Sequence, residues 1–522
     1  MALDKIISIV CGESPWPTDK DAANADMSNA LFGAAEGRYS VRGSEKPVTL
    51  RWLPASFARR GRSDQEDDTD GAGRSLGVPF GAYIHPTNPS SSAYAGMSIA
   101  IFPMTKGLGD ADVEQPKGCL LTFVVGTNGL SPDEDILGRP GHARKVQAIC
   151  AWLNRKHGKK KIVAWAKQDP ARYDENAPSN VVAQFSEYKP VFDRYGKFVY
   201  AVFASADPTA TSDAVTAFFD LMFEERGVQP YAGRKPVAEA LRAEWFAHLM
   251  PDTSAANVHE LLKTRRYVVI QGPPGTGKTR MAKDELLPTY YGGHGHAVQF
   301  HPNTTYENFV GGLAPSQTGE GIGLSFAPLP GYLMEAAALA AADPSRDYLL
   351  HIDEINRADL SKILGEAIYL LETGDTNRTL TLPYDFGPPF GNQFSLPENL
   401  HILGTMNTAD RSLAIVDVAV RRRFAFTKLW PQLRVVEAHG GELMKDAFIK
   451  LTSIFVEHAT DDAFNLIPGH SYFIQDDPTD EDAAKRQLKT TLAPLLEEYL
   501  SQGYVGGFSE PIRSYLQWID SL

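Results

Sequence analysis

Eight consecutive residues carry the clearest chemistry: Gly272, Pro273, Pro274, Gly275, Thr276, Gly277, Lys278 and Thr279. They fit G-x-x-x-x-G-K-[ST] at every fixed position. Glycines at 272, 275 and 277 let the backbone wrap closely, so that consecutive N–H groups converge on phosphate oxygens. A helix beginning near Lys278 adds its positive end to the same place. Lys278 is then expected to reach the β and γ phosphates of a nucleoside triphosphate. Thr279 is expected to offer its hydroxyl to Mg2+. The bland alternative, a Gly-Pro turn without function, does not account for the apolar strand before the segment and the helix after it.

Asp353 and Glu354 end the apolar run "YLLHIDE". At the carboxyl end of a strand facing the cradle, Asp353 is suited to hold a Mg2+ hydration shell. Glu354 is suited to polarise an attacking water as a general base. Alone, such a pair reads as a solvated strand end; the upstream cradle gives it a use. His351 reads as a core histidine rather than a ligand. Asn407 ends another apolar run, "LHILGTMN". If that strand lies between the other two, Asn407 stands beside the γ phosphate. It can then bond both a phosphate oxygen and the attacking water without adding charge. Asp410 and Arg411 follow, either as a turn pair or as part of the site. Leu413, Val416, Val420 and Phe424 fall at helical spacing around Arg421, Arg422 and Arg423. Successive helical residues turn by about 100°, so three arginines cannot share one phosphate. One or two can reach a neighbouring subunit's site, where arginine stabilises transition-state charge. The plain alternative is a positive helix end that suits the dipole.

These residues need a scaffold. Apolar runs at 266–271, 296–300, 348–354 and 400–407 read as strands, with helices between them such as 360–371. The alternation predicts an α/β fold: a parallel sheet covered by helices on both faces. Past Pro431 the strands stop and a helical domain is expected. Residues 1–230 read as a separate α+β domain, with strands at 97–103, 119–127 and 197–204 and a helix at 143–158. Residues 231–250 predict a linker helix, 251–430 the nucleotide-binding core and 431–522 a helical lid. The charged, glycine-rich run 63–77 reads as a loop.

Composition sets the outer bounds. The chain has 522 residues, 43% hydrophobic and 22% charged, enough for several cores. A net charge of -13 argues against a chain that is basic throughout, but leaves a local basic patch open. Cys11, Cys119 and Cys150 are odd in number and form no CxxC, which argues against a disulfide framework or a zinc knot. The first apolar run lacks a basic flank, and no run approaches the length of a membrane span. A soluble cytoplasmic protein without a membrane partner is expected.

Taken together, the segments of the second half resemble the AAA+ NTPases of the McrB type, the motor subunits of McrBC-like methyl-directed restriction systems. "MNTADRS" at 406–412 is similar to the signature stretch of that family, "HIDEINRADLSKILGE" at 351–366 to its acidic strand region, and "VDVAVRRRF" at 416–424 to its arginine-finger helix. "VQFHPNTTYENFVGGLAP" at 298–315 and "GHSYF" at 469–473 resemble the segment after its second strand and a lid motif. The resemblance implies an AAA+ P-loop core with a helical lid. It implies Mg2+-dependent hydrolysis of ATP or GTP in a ring, expected to be a hexamer, with sites at subunit interfaces. Asn407 takes the sensor-1 role, Arg422 is the preferred finger with Arg423 next, and Asp410 and Arg411 become nucleotide-site candidates. Arg486 is a sensor-2 candidate by position alone.

The resemblance does not extend to the first 230 residues. In such proteins this part commonly recognises the target, often modified DNA. The basic run "NRKHGKKK" at 154–161, beside Trp152 and Trp165, suits a phosphate backbone or, equally, a solvated helix end. Glu187 and Lys189 have the spacing of a nuclease pair but lack a convincing partner aspartate. Nuclease activity is therefore assigned to a separate McrC-like subunit. The function expected is a phage-defence motor translocating on DNA for that nuclease. A MoxR-like ATPase that remodels protein complexes is the alternative.

Overall fold

The structure is a computed structural model. It describes residues 3–33, 37–41, 47–53, 78–89, 93–105, 118–159, 161–316, 325–372, 378–409 and 418–522. Asp410, Arg411, Leu413 and Val416 lie outside the described residues, as does the expected loop at 63–77. The chain divides into two compact units: Met1–Met250 with Val456–His458, and Pro251–Phe455 with Ala459–Leu522.

The first unit is built on six strands: β1 (Thr49–Leu53), β2 (Phe80–Ile84), β3 (Met97–Pro103), β4 (Cys119–Val125), β5 (Ala164–Ala166) and β6 (Val199–Phe203). They run in the order β1-β2-β3-β4-β6-β5, and every neighbouring pair is antiparallel. β2, β3, β4 and β6 are buried at every position, which is why they read as continuous apolar runs rather than alternating ones. Helices Pro140–His157 and Pro208–Glu225 each bury an apolar stripe. Residues 229–231 hydrogen-bond back onto 38–40, through Ser40 N–H to the Gln229 carbonyl and Tyr231 N–H to the Arg38 carbonyl. The helix that follows is Lys235–Phe246, opened by Pro236 in its first turn.

The second unit is α/β. Its main strands are β7 (Tyr267–Gly272), β8 (Gly295–Gln299), β11 (Tyr348–Asp353), β14 (Leu400–Asn407) and β15 (Ala425–Lys428). Two small antiparallel pairs stand apart from them: β9 (Gly311–Ser316) with β10 (Ser325–Pro330), and β12 (Leu380–Thr381) with β13 (Gln393–Phe394). The five-stranded sheet runs β15-β7-β14-β11-β8, parallel throughout, so β14 lies between β7 and β11 as its sequence suggests. Period-two alternation splits the core. Tyr267, Val269, Leu350, Ile352, Leu400 and Ile402 feed the cluster on one face. Val268, Ile270, Leu349 and Leu403 feed the other, against Leu262 and Leu286. Beyond Pro431 the second unit is a helical lid, which includes the helical residues 441–455 and helices Ala493–Ser501 and Ser509–Ser521.

The helix expected at 360–371 is broken. It runs Leu360–Leu364, and a 3-10 turn follows over Gly365–Leu370. Gly365 sits at φ 48, and a Cβ there would stand 3.0 Å from the Tyr306 ring. A glycine is needed for that conformation and that approach.

Candidate functional site

β7 delivers the chain to the cradle at Gly272, where a Cβ would lie 2.2 Å from the Leu429 carbonyl oxygen. Gly275 and Gly277 follow at φ 76 and 78, the left-handed values that only glycine adopts freely. The helix begins at Lys278. Lys278 is buried, and its Nζ donates to the carbonyls of Gly272 (2.9 Å) and Pro273 (2.7 Å). Burial pushes its pKa down to about 8, against the opposing pull of Asp353 and Glu354.

Three strand ends meet here. The register of β14 on β7 sets Asn407 opposite Gly272. Asp353, at the end of β11, accepts from the Thr279 hydroxyl at 2.8 Å and from the Thr405 hydroxyl on β14. Burial alone would raise the Asp353 pKa; those two hydroxyls, with nearby positive charge including Lys283, hold it below the ordinary carboxylate range. Glu354 follows at φ 53, ψ 49, with its carboxylate paired to Arg357. Its N–H points at Thr405 Oγ1, 3.3 Å away. Asn356 Nδ2 donates to the Asn407 carbonyl at 3.2 Å, and Thr408 N–H to the Gly272 carbonyl at 3.1 Å.

The lid loop is bonded directly to the cradle. Gly469 N–H donates to the Pro274 carbonyl (2.9 Å) and Ser471 N–H to the Gly275 carbonyl (3.0 Å). A Cβ on Gly469 would stand 2.0 Å from the Gly275 carbonyl carbon, so only glycine fits. His470 accepts from Gln432 N–H, and burial pushes its pKa to about 4, leaving it neutral at pH 7. The result is a cleft of about 370 Å³ lined by cradle residues, Lys278, Thr279, Asp353, Glu354, Thr405 and Asn407, and closed on the lid side by His470, Ser471 and Ile474. That size suits a small polar ligand.

Residues 267–424 match the AAA domain (dynein-related subfamily). The chain is also 28% identical, over 381 residues, to the Type IV methyl-directed restriction enzyme EcoKMcrB subunit of Escherichia coli (strain K12). That match spans 67% of this chain and 79% of that protein. The second unit thus contains an AAA domain, and the chain is similar to the McrB subunit over two thirds of its length. A further relative is the Type II restriction enzyme BsuMI component YdiS of Bacillus subtilis (strain 168), 29% identical over 197 residues, which are 31% of this chain and 57% of that protein.

In this AAA domain the three arginines stand away from the residues of the cleft. All lie on helix Val418–Arg423, and none lines the cleft of its own chain. Arg421 stacks over the Phe426 ring at 5.4 Å. Arg423 is 11% exposed and donates to the Ala419 carbonyl. Arg422 is 69% exposed, 3.7 Å from Glu372. Arg486, 69% exposed and 3.9 Å from Asp480, does not line the cleft. Sequence reading missed Thr405, Asn356 and Arg357. Thr405 carries no distinctive sequence signal, since one threonine in a strand that also holds His401 is ordinary.

In the first unit the basic run is partly neutralised. Lys156 pairs with Asp213 (3.0 Å) and Glu244 (2.8 Å), and His157 with Asp213 (2.8 Å). Trp152 is buried, with Lys156 over its ring, and is not an exposed stacking platform. Arg155, Lys159 and Lys161 remain exposed. Glu187 lies on the 3-10 turn Ser186–Tyr188 and Lys189 opens helix Lys189–Tyr195, paired to Asp193. Neither stands on a strand. Among the described residues, no helix is long and apolar enough to cross a membrane.

Proposed function

We propose that the cleft hydrolyses ATP or GTP with Mg2+, and that copies of the chain form a ring, expected to be hexameric, in which Arg422 of one subunit completes the cleft of the next. The observation that carries this is the meeting of Lys278, Thr279, Asp353, Glu354 and Asn407 in one cleft. The residues fit a magnesium ion: a hydroxyl and a carboxylate 2.8 Å apart are hard oxygen donors. Among the described residues no group of three or more His, Cys, Asp or Glu could hold a metal. Mg2+ is commonly held by one or two protein oxygens, with waters and substrate phosphates making up the rest. Bound there, the ion would neutralise charge on the phosphate oxygens.

The chain's own groups do the remainder. The cradle N–H groups and Lys278 hold the phosphates, the lysine leaving its two carbonyl partners to do so. Glu354 leaves Arg357 and takes the proton of the attacking water. Asn407 orients that water and a γ-phosphate oxygen. Arg422, exposed and outside its own cleft, supplies positive charge in trans.

The likeness to the McrB subunit favours a motor in a restriction complex, with DNA taken by the first unit and cleavage by a McrC-like nuclease subunit. Phosphate release measured with ATP and with GTP tests the chemistry. Anisotropy of duplex DNA titrated with the chain tests the target. If Arg155, Lys159 and Lys161 meet phosphates, log affinity falls with log salt at a slope of about -3. Absence of DNA binding at low salt would remove the first unit from DNA recognition.

A further inference from the structure

We propose that Thr405 is a positioning residue for hydrolysis: its buried hydroxyl ties the Asp353 carboxylate to the backbone of Glu354 and so fixes where the general base stands. This rests on the reading of the cleft as a hydrolytic site.

Strand parity brings the groups together. His401, Leu403 and Thr405 share one face of β14; Leu349, His351 and Asp353 share the same face of neighbouring β11. Leu349 and Leu403 belong to the apolar cluster on that face. Above them the row turns polar, although Thr405 is 1% and His351 2% exposed. A hydroxyl has one proton and two acceptor sites. Asp353 Oδ1 is an acceptor, so the Thr405 proton goes there. One acceptor site takes Glu354 N–H at 3.3 Å, and the other faces His351 Nε2 at 3.5 Å. His351 Nδ1 is buried without a partner. An unpartnered lone pair costs less than an unpartnered N–H, which assigns the ring proton to Nε2, directed at Thr405. The hydroxyl is thus held from three sides.

Glu354 needs such a hold. Its φ of 53 is a conformation that side chains with a Cβ adopt rarely. The anchor at its N–H fixes the direction in which the side chain leaves the strand. Valine at 405 keeps the shape and removes both the donor to Asp353 and the acceptor for Glu354.

The test compares wild type, T405V and T405S by steady-state phosphate release with ATP and GTP, by binding of mant-ATP and mant-GTP in EDTA, and by thermal melting. T405V should lose at least about tenfold in kcat, as expected for a displaced catalytic group. Its KM and its nucleotide affinity in EDTA should stay within about twofold, because the cradle does not depend on this hydroxyl. T405S should recover most of the rate. Should T405V fail to melt cooperatively, T405A carries the same comparison. Wild-type kcat in the hydroxyl-free variant would overturn the proposal. So would T405S as slow as T405V, or loss of mant-nucleotide binding in step with kcat. Wild-type protein that turns over neither nucleotide would overturn the hydrolytic reading itself, and this inference with it.

Discussion

Raising the pH from 7.5 to 9.5 should weaken triphosphate binding by about 25-fold. Lys278 is the reason. Its pKa in the free protein is pushed down to about 8 by burial. Below that pH the ammonium is charged and ready to meet phosphate; above it, binding must first take up a proton. If the bound lysine stays charged, affinity falls by 1 + 10^(pH − pKa), about 1.3 at the lower pH and about 33 at the higher, a difference close to 2 kcal/mol. A lysine with the ordinary pKa would change affinity by only about 10% over the same range. The assay is a mant-nucleotide titration in EDTA across the pH range, with Lys278→Arg alongside. Guanidinium does not titrate there, so the arginine variant reports the nucleotide's own titration and that of every other group. Parallel curves for the two proteins would refute the argument.

Other outcomes follow from the geometry. Arg422→Ala and Lys278→Ala should each abolish turnover, and a 1:1 mixture should regain about a quarter of the wild-type rate, the chance that an intact cradle faces an intact arginine; no rescue at any ratio would refute supply in trans. Gly469→Ala places a Cβ 2.0 Å from the cradle backbone, so the lid loop must lift, and the melting temperature should fall by an amount equivalent to about 1–3 kcal/mol. An unchanged melt would show that the lid does not rest on the cradle as described.

The cradle was legible because turn chemistry is local. Gly275 and Gly277 take the left-handed values their positions require, and Lys278 opens the helix. The place of β14 was legible because Asn407 has a use only beside Gly272. What escaped was non-local. Apolar residues at 360, 363, 364, 368 and 371 fit a continuous helix, and the break at Gly365 comes with the approach of Tyr306, some sixty positions away. The basic run at 154–161 looked free until the fold brought Asp213 and Glu244 to Lys156. The lid motif at 469–473 could be noticed in the sequence, but its backbone bonds to Pro274 and Gly275 could not. Thr405 was hidden for a different reason. One threonine in a strand is common, and only its hydrogen bonds give it a role.

If Glu354 is the base of a hydrolytic cleft whose binding elements are separate from it, loss of its carboxylate must stop the chemistry and spare binding. The most direct test is Glu354→Gln, measured for mant-nucleotide binding and for single-turnover phosphate release with both ATP and GTP. Binding should stay close to wild type and release should slow by about 10²- to 10⁴-fold with the nucleotide that the wild type hydrolyses. Release at the wild-type rate would contradict that role for Glu354.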